Sequence, residues 1–355
     1  MIISAILASF SVVNVGAISA QSAVMIDGLT GQVLYDKDGE TERLIASTTK
    51  IMTGLLVAES GKLEEKVTIT ADMVDIEGSS LYLKVGEVLT VEQLLYGLML
   101  RSGNDAAMAL ALEISGNLEE FVLKMNEKAV ELGLEHTHFA NPHGLDDDGN
   151  YATALDLATL TAYAMKNDDF RQVCSTKSMT VGSRVLQNHN KMLWRYDGAI
   201  GVKTGYTQAA GRLLVTAAER KNRTLIAVTM NAPDDWNDHQ VLLDNGFDRM
   251  KEEFAVTAGT VMGQVPIIGG TTETVNCIAG EDGIFGLFSG ETVEIILYLP
   301  EFAFAAVHNG HPAGYAKLLI DGRELGRVPL VYEKTVAQKI EPPQEKSWLE
   351  QLFGG

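Results

Sequence analysis

Three short polar clusters in this chain carry residue types suited to acyl transfer. The first, Ser47-Thr48-Thr49-Lys50, opens a helical pattern. A serine and a lysine three apart on a helix share one face, with Cβ atoms about 5–6 Å apart. Backbone N–H groups at a helix start suit an anion forming on a substrate. The lysine can take the serine's proton only when neutral, so its pKa must fall from about 10.4, at about 1.4 kcal/mol per unit. Burial or a second nearby cation would do this. Taken alone, the pair reads better as a Ser/Thr helix cap followed by an exposed lysine.

The second cluster is Ser102-Gly103-Asn104, between two apolar helical segments, and a copy stands at Ser115-Gly116-Asn117. Thirteen residues of helix span about 20 Å, so only one copy can serve one site. The later copy reads as a helix stop with Gly116 at the C-cap. The earlier one places polar groups between strongly apolar helices, where a loop can be held rigidly, so Ser102 and Asn104 are preferred. The third cluster, Lys203-Thr204-Gly205, opens a strand-rich half. A lysine beside glycine on an edge strand puts a cation next to backbone that a peptide can approach. By itself it is an exposed strand start.

The elements that must position these clusters follow from periodicity. Strands are expected at 22–27 and 32–36, joined by Gly28-Leu29-Thr30-Gly31. A helix runs from Thr48 and stops at Gly61. Short strands are expected in KVTIT and in SLYLKVGEVLT, followed by a capping box at Thr90 and Gln93 that opens VEQLLYGLML. Helices follow in DAAMALALEIS, at 121–132 and at 154–165. LLVTAAE, a Lys221-Asn222 turn and TLIAVTMN make a hairpin, and a helix at 238–250 closes the region. Strands, then helices, then strands describe an α/β sandwich with a helical insertion. Beyond Ala258, short strands at 292–299, 316–320 and 326–332 with Gly turns read as a small β domain.

In the order S-x-x-K, S-x-N, K-T-G, the clusters match the set of penicillin-recognising serine enzymes. The sequence resembles the serine-type D-alanyl-D-alanine carboxypeptidases, the low-molecular-mass penicillin-binding proteins. The likeness extends through IASTTKIMTGLLVAE, LYLKVGEVLTVEQLLYGLMLRSGNDAA, THFANPHGLDDDGNYATALDLA, NHNKMLW and GVKTGYTQAAGRLLVTA, covering about residues 22–250. Leu213 stands where relatives often carry Cys or a small polar residue. The resemblance implies an α+β fold: a β-lactamase/transpeptidase-like sandwich with an antiparallel sheet and helical insertion, plus a C-terminal β domain. It implies that Ser47 is the nucleophile, Lys50 its base, and that Ser102 and Asn104 relay protons and hold the substrate amide. Lys203 and Thr204 would bind the terminal carboxylate beside Gly205, and backbone N–H groups of Ser47 and Tyr206 would form the oxyanion hole. The implied substrate is the peptidoglycan stem peptide, with β-lactams as acylating inhibitors.

Composition narrows the alternatives. The 355 residues are too many for one ordinary domain. The expected divisions are a signal peptide at 1–20, a catalytic domain at 21–253, a β-rich domain at 258–335, and a linker with short tail at 336–355. A formal charge of −19 with no basic cluster disfavours nucleic acid. Cys174 and Cys277 are too few for a disulfide scaffold or a Cys-based metal site. His136, His138, His143 and His189 fit no zinc motif and are expected to hold loops, so neither metal nor other cofactor is expected. The uncharged apolar opening MIISAILASFSVVNVGAISA indicates export, with cleavage near Ala20. In the tail, Trp348, Leu349, Leu352 and Phe353 form one apolar stripe that could touch a membrane surface, or simply fray. Two other functions use the same residues. A serine β-lactamase needs a carboxylate in an E-x-x-x-N loop; Glu113 and Asn117 have that spacing but lie too early in the chain. A catalytically idle wall-binding or β-lactam-sensing protein would have no need of three intact clusters.

Overall fold

The computed structural model describes residues 17–340. The chain forms two compact units, one running to Lys251 and the other starting at Glu252. Most of the expected signal segment and most of the tail, including its apolar stripe, lie outside the described residues.

In the first unit, β1 (Ser22–Asp27), β2 (Val33–Lys37), β3 (Ala199–Thr207), β4 (Gly211–Arg220) and β5 (Arg223–Met230) form an antiparallel sheet. Their order is β2-β1-β5-β4-β3, which leaves β3, with its Lys203-Thr204-Gly205, on an edge. The β4–β5 hairpin turns on Lys221 and Asn222, both at positive φ (49° and 56°), the backbone that a two-residue hairpin demands.

The helices are α1 (Lys50–Glu59), α2 (Val91–Arg101), α3 (Asn104–Ser115), α4 (Leu118–Glu131), α5 (Ala154–Ala164), α6 (Asp168–Ser175), the short α7 (Met192–Arg195) and α8 (Asp235–Asp248). Alternation along the strands sends side chains to opposite faces. Val24, Ile26, Val215 and Val228 enter the core shared with the helical insertion. Met25 and Leu225 face α8, where a Cβ on Gly246 would come within 2.6–2.9 Å of them. Every β1 residue is therefore buried. Beneath the sheet end, Arg223 makes a bidentate pair with Asp27 (2.7 and 2.9 Å), both fully buried.

One expectation changes. SLYLKVGEVLT alternates like a strand, yet only Val88–Thr90 is one. The backbone N–H groups of Leu81 and Leu83 are taken by the Asp105 carboxylate (2.9–3.2 Å) rather than by a neighbouring strand. Their side chains are still buried, so the alternation reports burial without a ladder. The residues just before the expected division at 20/21 are packed in this structure. Ser19 donates from N and Oγ to Asp238 (2.8 and 2.7 Å), and Ala20 N donates to the same carboxylate (3.0 Å). Ile18 and Ala20 are buried, and their carbonyls accept from Lys37 Nζ.

Among the described residues, the second unit is all β. Its six-stranded sheet runs Glu294–Tyr298, Pro312–Ile320, Arg323–Tyr332, Thr274–Ala279, Val261–Ile268, Ala303–Phe304. Glu252–Val256 pairs with Gly283–Leu287 and so belongs here. Cys174 and Cys277 are both free and sit in different units.

Candidate active site

Ser47 lies in a 3-10 turn, Ala46–Thr49, that runs into α1. The turn is tight: Ala46 has φ of 43°, uncommon for a residue with a Cβ. The loop at Gly144 presses on it so closely that a Cβ there would meet Ala46 O at 1.9 Å. Lys50 opens α1 one turn after Ser47 and is wholly buried. Its Nζ is 3.0 Å from Ser47 Oγ and 2.7 Å from Asn104 Oδ1, and it also bonds His143 O. Desolvation holds its pKa well below the ordinary lysine value; the Lys203 cation adds to this and Asp105 opposes it.

Ser102 caps the C-terminus of α2 in left-handed backbone (φ 60°, ψ 32°), which turns its side chain out of the helix run. Its hydroxyl is buried, with no hydrogen-bond partner among the described residues. Asn104 begins α3, and its Nδ2 donates to Glu77 O at 2.5 Å. The next residue, Asp105, is a clamp: it accepts from Ser80 Oγ (2.6 Å) and from the Leu81, Leu83 and Ala106 N–H groups. The later Ser-Gly-Asn plays a different part. Gly116 stops α3 at φ 78°, and Asn117 caps α4 by accepting from Glu120 N at 2.8 Å.

Strand alternation points Lys203 and Gly205 to the face that carries Val215 and Leu213, into the helical side. Lys203 is 1% exposed and donates to Thr204 O at 2.8 Å. Burial brings its pKa down to about 7, against a small opposing effect of the Cys174 thiol. A Cβ on Gly205 would lie 3.3 Å from Thr48 N, so edge strand and serine turn are in close approach. Ser47, Ser102, Thr204, Gly205 and Tyr206 line one cleft of about 750 Å³. Tyr206 stands at its lip, 67% exposed. Thus all eight residues singled out from sequence gather around one cleft, with Lys50, Asn104 and Lys203 buried in its wall.

No histidine here is poised as a base. His143 and His189 are both pushed to about 4, first by desolvation, then by Lys50 for His143 and by Lys203 and Arg101 for His189. A half-buried serine hydroxyl beside a wholly buried lysine whose pKa is lowered has the chemistry that a nucleophile and its base require.

The family model for D-alanyl-D-alanine carboxypeptidase matches residues 9–234, well over half of the chain. The chain belongs to this family. Among its members, the DacF carboxypeptidase of Bacillus subtilis is 33% identical over 88% of this chain and 84% of its own length. DacC of Escherichia coli is 30% identical over 92% and 86%. Penicillin-binding protein 5 of Haemophilus influenzae superposes with a TM-score of 0.64 at 28% identity, over 91% of this chain and 99% of that one. A mutant of the Streptomyces K15 DD-transpeptidase gives 0.64 at 38% identity, over 66% and 99%. The sandwich with antiparallel sheet and helical insertion is therefore the family's fold.

Several site features escaped the sequence reading. The His143 carbonyl on Lys50 carries no side-chain signal. Asp105 is adjacent to Asn104 and could have been found by asking what satisfies a carboxylate in an apolar helix start. Arg212, joined to Asp235 through Nη2 (2.9 Å to each oxygen), also lines the cleft, as does Trp236.

Proposed function

We propose that this member is a serine D-alanyl-D-alanine carboxypeptidase that removes the terminal D-Ala of peptidoglycan stem peptides and is acylated by β-lactams. The observation that carries the reading is Lys50 Nζ at 3.0 Å from Ser47 Oγ, wholly buried with Lys203 behind it. Neutral Lys50 takes the Ser47 proton as Oγ attacks the penultimate D-Ala carbonyl. The oxyanion is received by the backbone N–H groups of Ser47 and Tyr206. As the intermediate collapses, the proton passes through Ser102 to the leaving D-Ala nitrogen, and Ser47 keeps the acyl ester. Water, deprotonated by Lys50, then releases the shortened stem. Asn104 holds the substrate amide, and Lys203 with Thr204 binds the terminal carboxylate beside Gly205.

Peptidoglycan lies outside the cytoplasm, so the reading includes export through the apolar leader. The Asp238 contacts of Ser19 and Ala20 favour cleavage before Ile18, after the small pair Gly16-Ala17. Peripheral membrane contact through the tail stripe at 348–353 belongs to the same proposal; among the described residues no helix is long and apolar enough to cross a membrane. The test is to mix the protein with diacetyl-L-Lys-D-Ala-D-Ala and assay free D-Ala, while following a chromogenic cephalosporin. D-Ala release, slow cephalosporin turnover and a penicillin adduct on Ser47 by mass spectrometry are expected. Loss of both labelling and release in Ser47→Ala completes the case. Rapid cephalosporin turnover without D-Ala release would make it a β-lactamase, and an adduct elsewhere would overturn the assignment.

A further inference from the structure

The cleft carries more positive charge than the proposed chemistry uses. Arg101, Lys191, Arg195 and Arg212 line it, against the single carboxylate of Asp235. This happens in a chain whose formal charge is −19, so the general field does not explain it. The terminal carboxylate is already assigned to Lys203 and Thr204.

Two of these cations are held together. Arg195 and Arg212 both lie over the ring of Trp236, 5.9 and 6.0 Å from its centroid. Arg212 comes from β4, opposite Tyr206 in register, and Arg195 from α7. Asp235, 3% exposed at its side chain, fixes Arg212 through Nη2 alone, while the Arg212 side chain stays 44% exposed to the cleft. Two like charges on one indole repel each other, and one carboxylate engaging one nitrogen leaves most guanidinium donors facing the cleft. A planar fork fixed by an aromatic face is a preorganised receptor for a carboxylate. His189, neutral with a pKa of about 4, adds no charge to this wall near pH 7.

We propose that the Arg195–Arg212–Trp236 cluster is a subsite for a second carboxylate of the substrate, so that the enzyme prefers peptides bearing a free acid beyond the terminal one. The inference rests on the carboxypeptidase reading and deepens it. The acid can enter from the acyl side, on the diamino acid that precedes D-Ala-D-Ala, or from the leaving side, on the amine half of a cross-linked peptide.

The test uses matched peptides in which that one carboxylate is free or converted to a carboxamide, in two arms. One arm places it on a diaminopimelate residue before D-Ala-D-Ala. The other places it on the amine half of a cross-linked dimer, away from the carboxylate next to the leaving nitrogen, which stays free for Lys203 in both peptides. In the native enzyme the acid should exceed the amide in kcat/KM by tenfold or more in at least one arm, which identifies the source. In Arg195→Gln that ratio should shrink several-fold. In the double variant Arg212→Gln/Asp235→Asn, which leaves no orphaned buried carboxylate, it should fall below about threefold. Because the ratio is taken within each variant, a general loss of activity does not mimic the result. Equal rates for acid and amide in both arms of the native enzyme, or a ratio unchanged in both variants, overturn the subsite. No product from any peptide, with no acylation of Ser47, overturns the carboxypeptidase reading instead.

Discussion

Lys203 is the sharpest point at which the site can be broken. Replacing it with Met keeps an unbranched stem in the buried slot and removes the charge. Two effects should follow. A charge-assisted hydrogen bond to the substrate's terminal carboxylate contributes about 1.5–3 kcal/mol, or about 10- to 150-fold in kcat/KM. The second effect concerns Lys50, which as the proposed base must be neutral to act, so kcat/KM should rise with pH as Lys50 loses its proton. The Lys203 cation helps hold the Lys50 pKa down, so its removal should move that acid limb to higher pH. On the alkaline side, Lys203 titrates at about 7 in the empty cleft, so native kcat/KM should fall above that point as its charge is lost. A bound carboxylate favours the charged form, so the corresponding fall in kcat should come at higher pH. In Lys203→Met the alkaline fall should vanish. The assay is D-Ala release from diacetyl-L-Lys-D-Ala-D-Ala across pH, with a matching peptide ending in a carboxamide. Native enzyme should strongly prefer the acid, and the mutant should scarcely distinguish them, because both changes remove one interaction. An acid limb that stays put or moves down in Lys203→Met would refute the electrostatic coupling. A carboxamide cleaved as fast as the acid by native enzyme would refute the carboxylate site.

Other outcomes follow from single contacts. Ser102→Ala should lower kcat/KM by about a hundredfold, in the range of a lost proton relay, while Ser115→Ala keeps most activity; steady-state kinetics on folded variants decide, and the reverse ranking contradicts the choice of copy. Asp27→Asn should cost about 1.5–3 kcal/mol of stability, because a neutral amide replaces a carboxylate that accepts charge-assisted bonds from buried Arg223, read from denaturant midpoints; a change under about 1 kcal/mol would deny the pair its role. A chain starting at Gln21 should be about 1–3 kcal/mol less stable than one starting at Ile18, since Asp238 loses three donors, and N-terminal sequencing of the exported protein should begin at or before Ile18.

What could be read from sequence divides by the range of the interaction responsible. The serine and lysine of the first cluster are one helical turn apart, and the capping box at Thr90 is a four-residue device: Thr90 Oγ1 accepts from Gln93 N at 3.1 Å, and Gln93 Oε1 from Thr90 N at 3.0 Å. The Lys221-Asn222 hairpin is equally local. These are decided by neighbours in the chain, and a spacing shows them. The joining of the clusters is another matter. It came from a resemblance, since no periodicity tells that residue 50 meets residue 104, or that 205 approaches 48. Where only a long-range partner decides, local pattern misled. Leu81 and Leu83 alternate with polar residues as a half-buried strand would, but a carboxylate more than twenty residues away takes their N–H groups.

That substitution has a consequence for the site. Asp105 lies on the same first turn of α3 as Asn104, so the groups that satisfy it also fix where α3 begins. Ser79 O accepts from Asn104 N at 2.7 Å, and Glu77 O accepts from Asn104 Nδ2. The 77–83 segment is thus tied at both ends to the helix that presents Asn104 Oδ1 to Lys50. A true strand there would have spent those same backbone groups on a ladder. The irregular segment is therefore the price of a rigid Asn104, and its apolar alternation serves burial while its backbone serves the cleft.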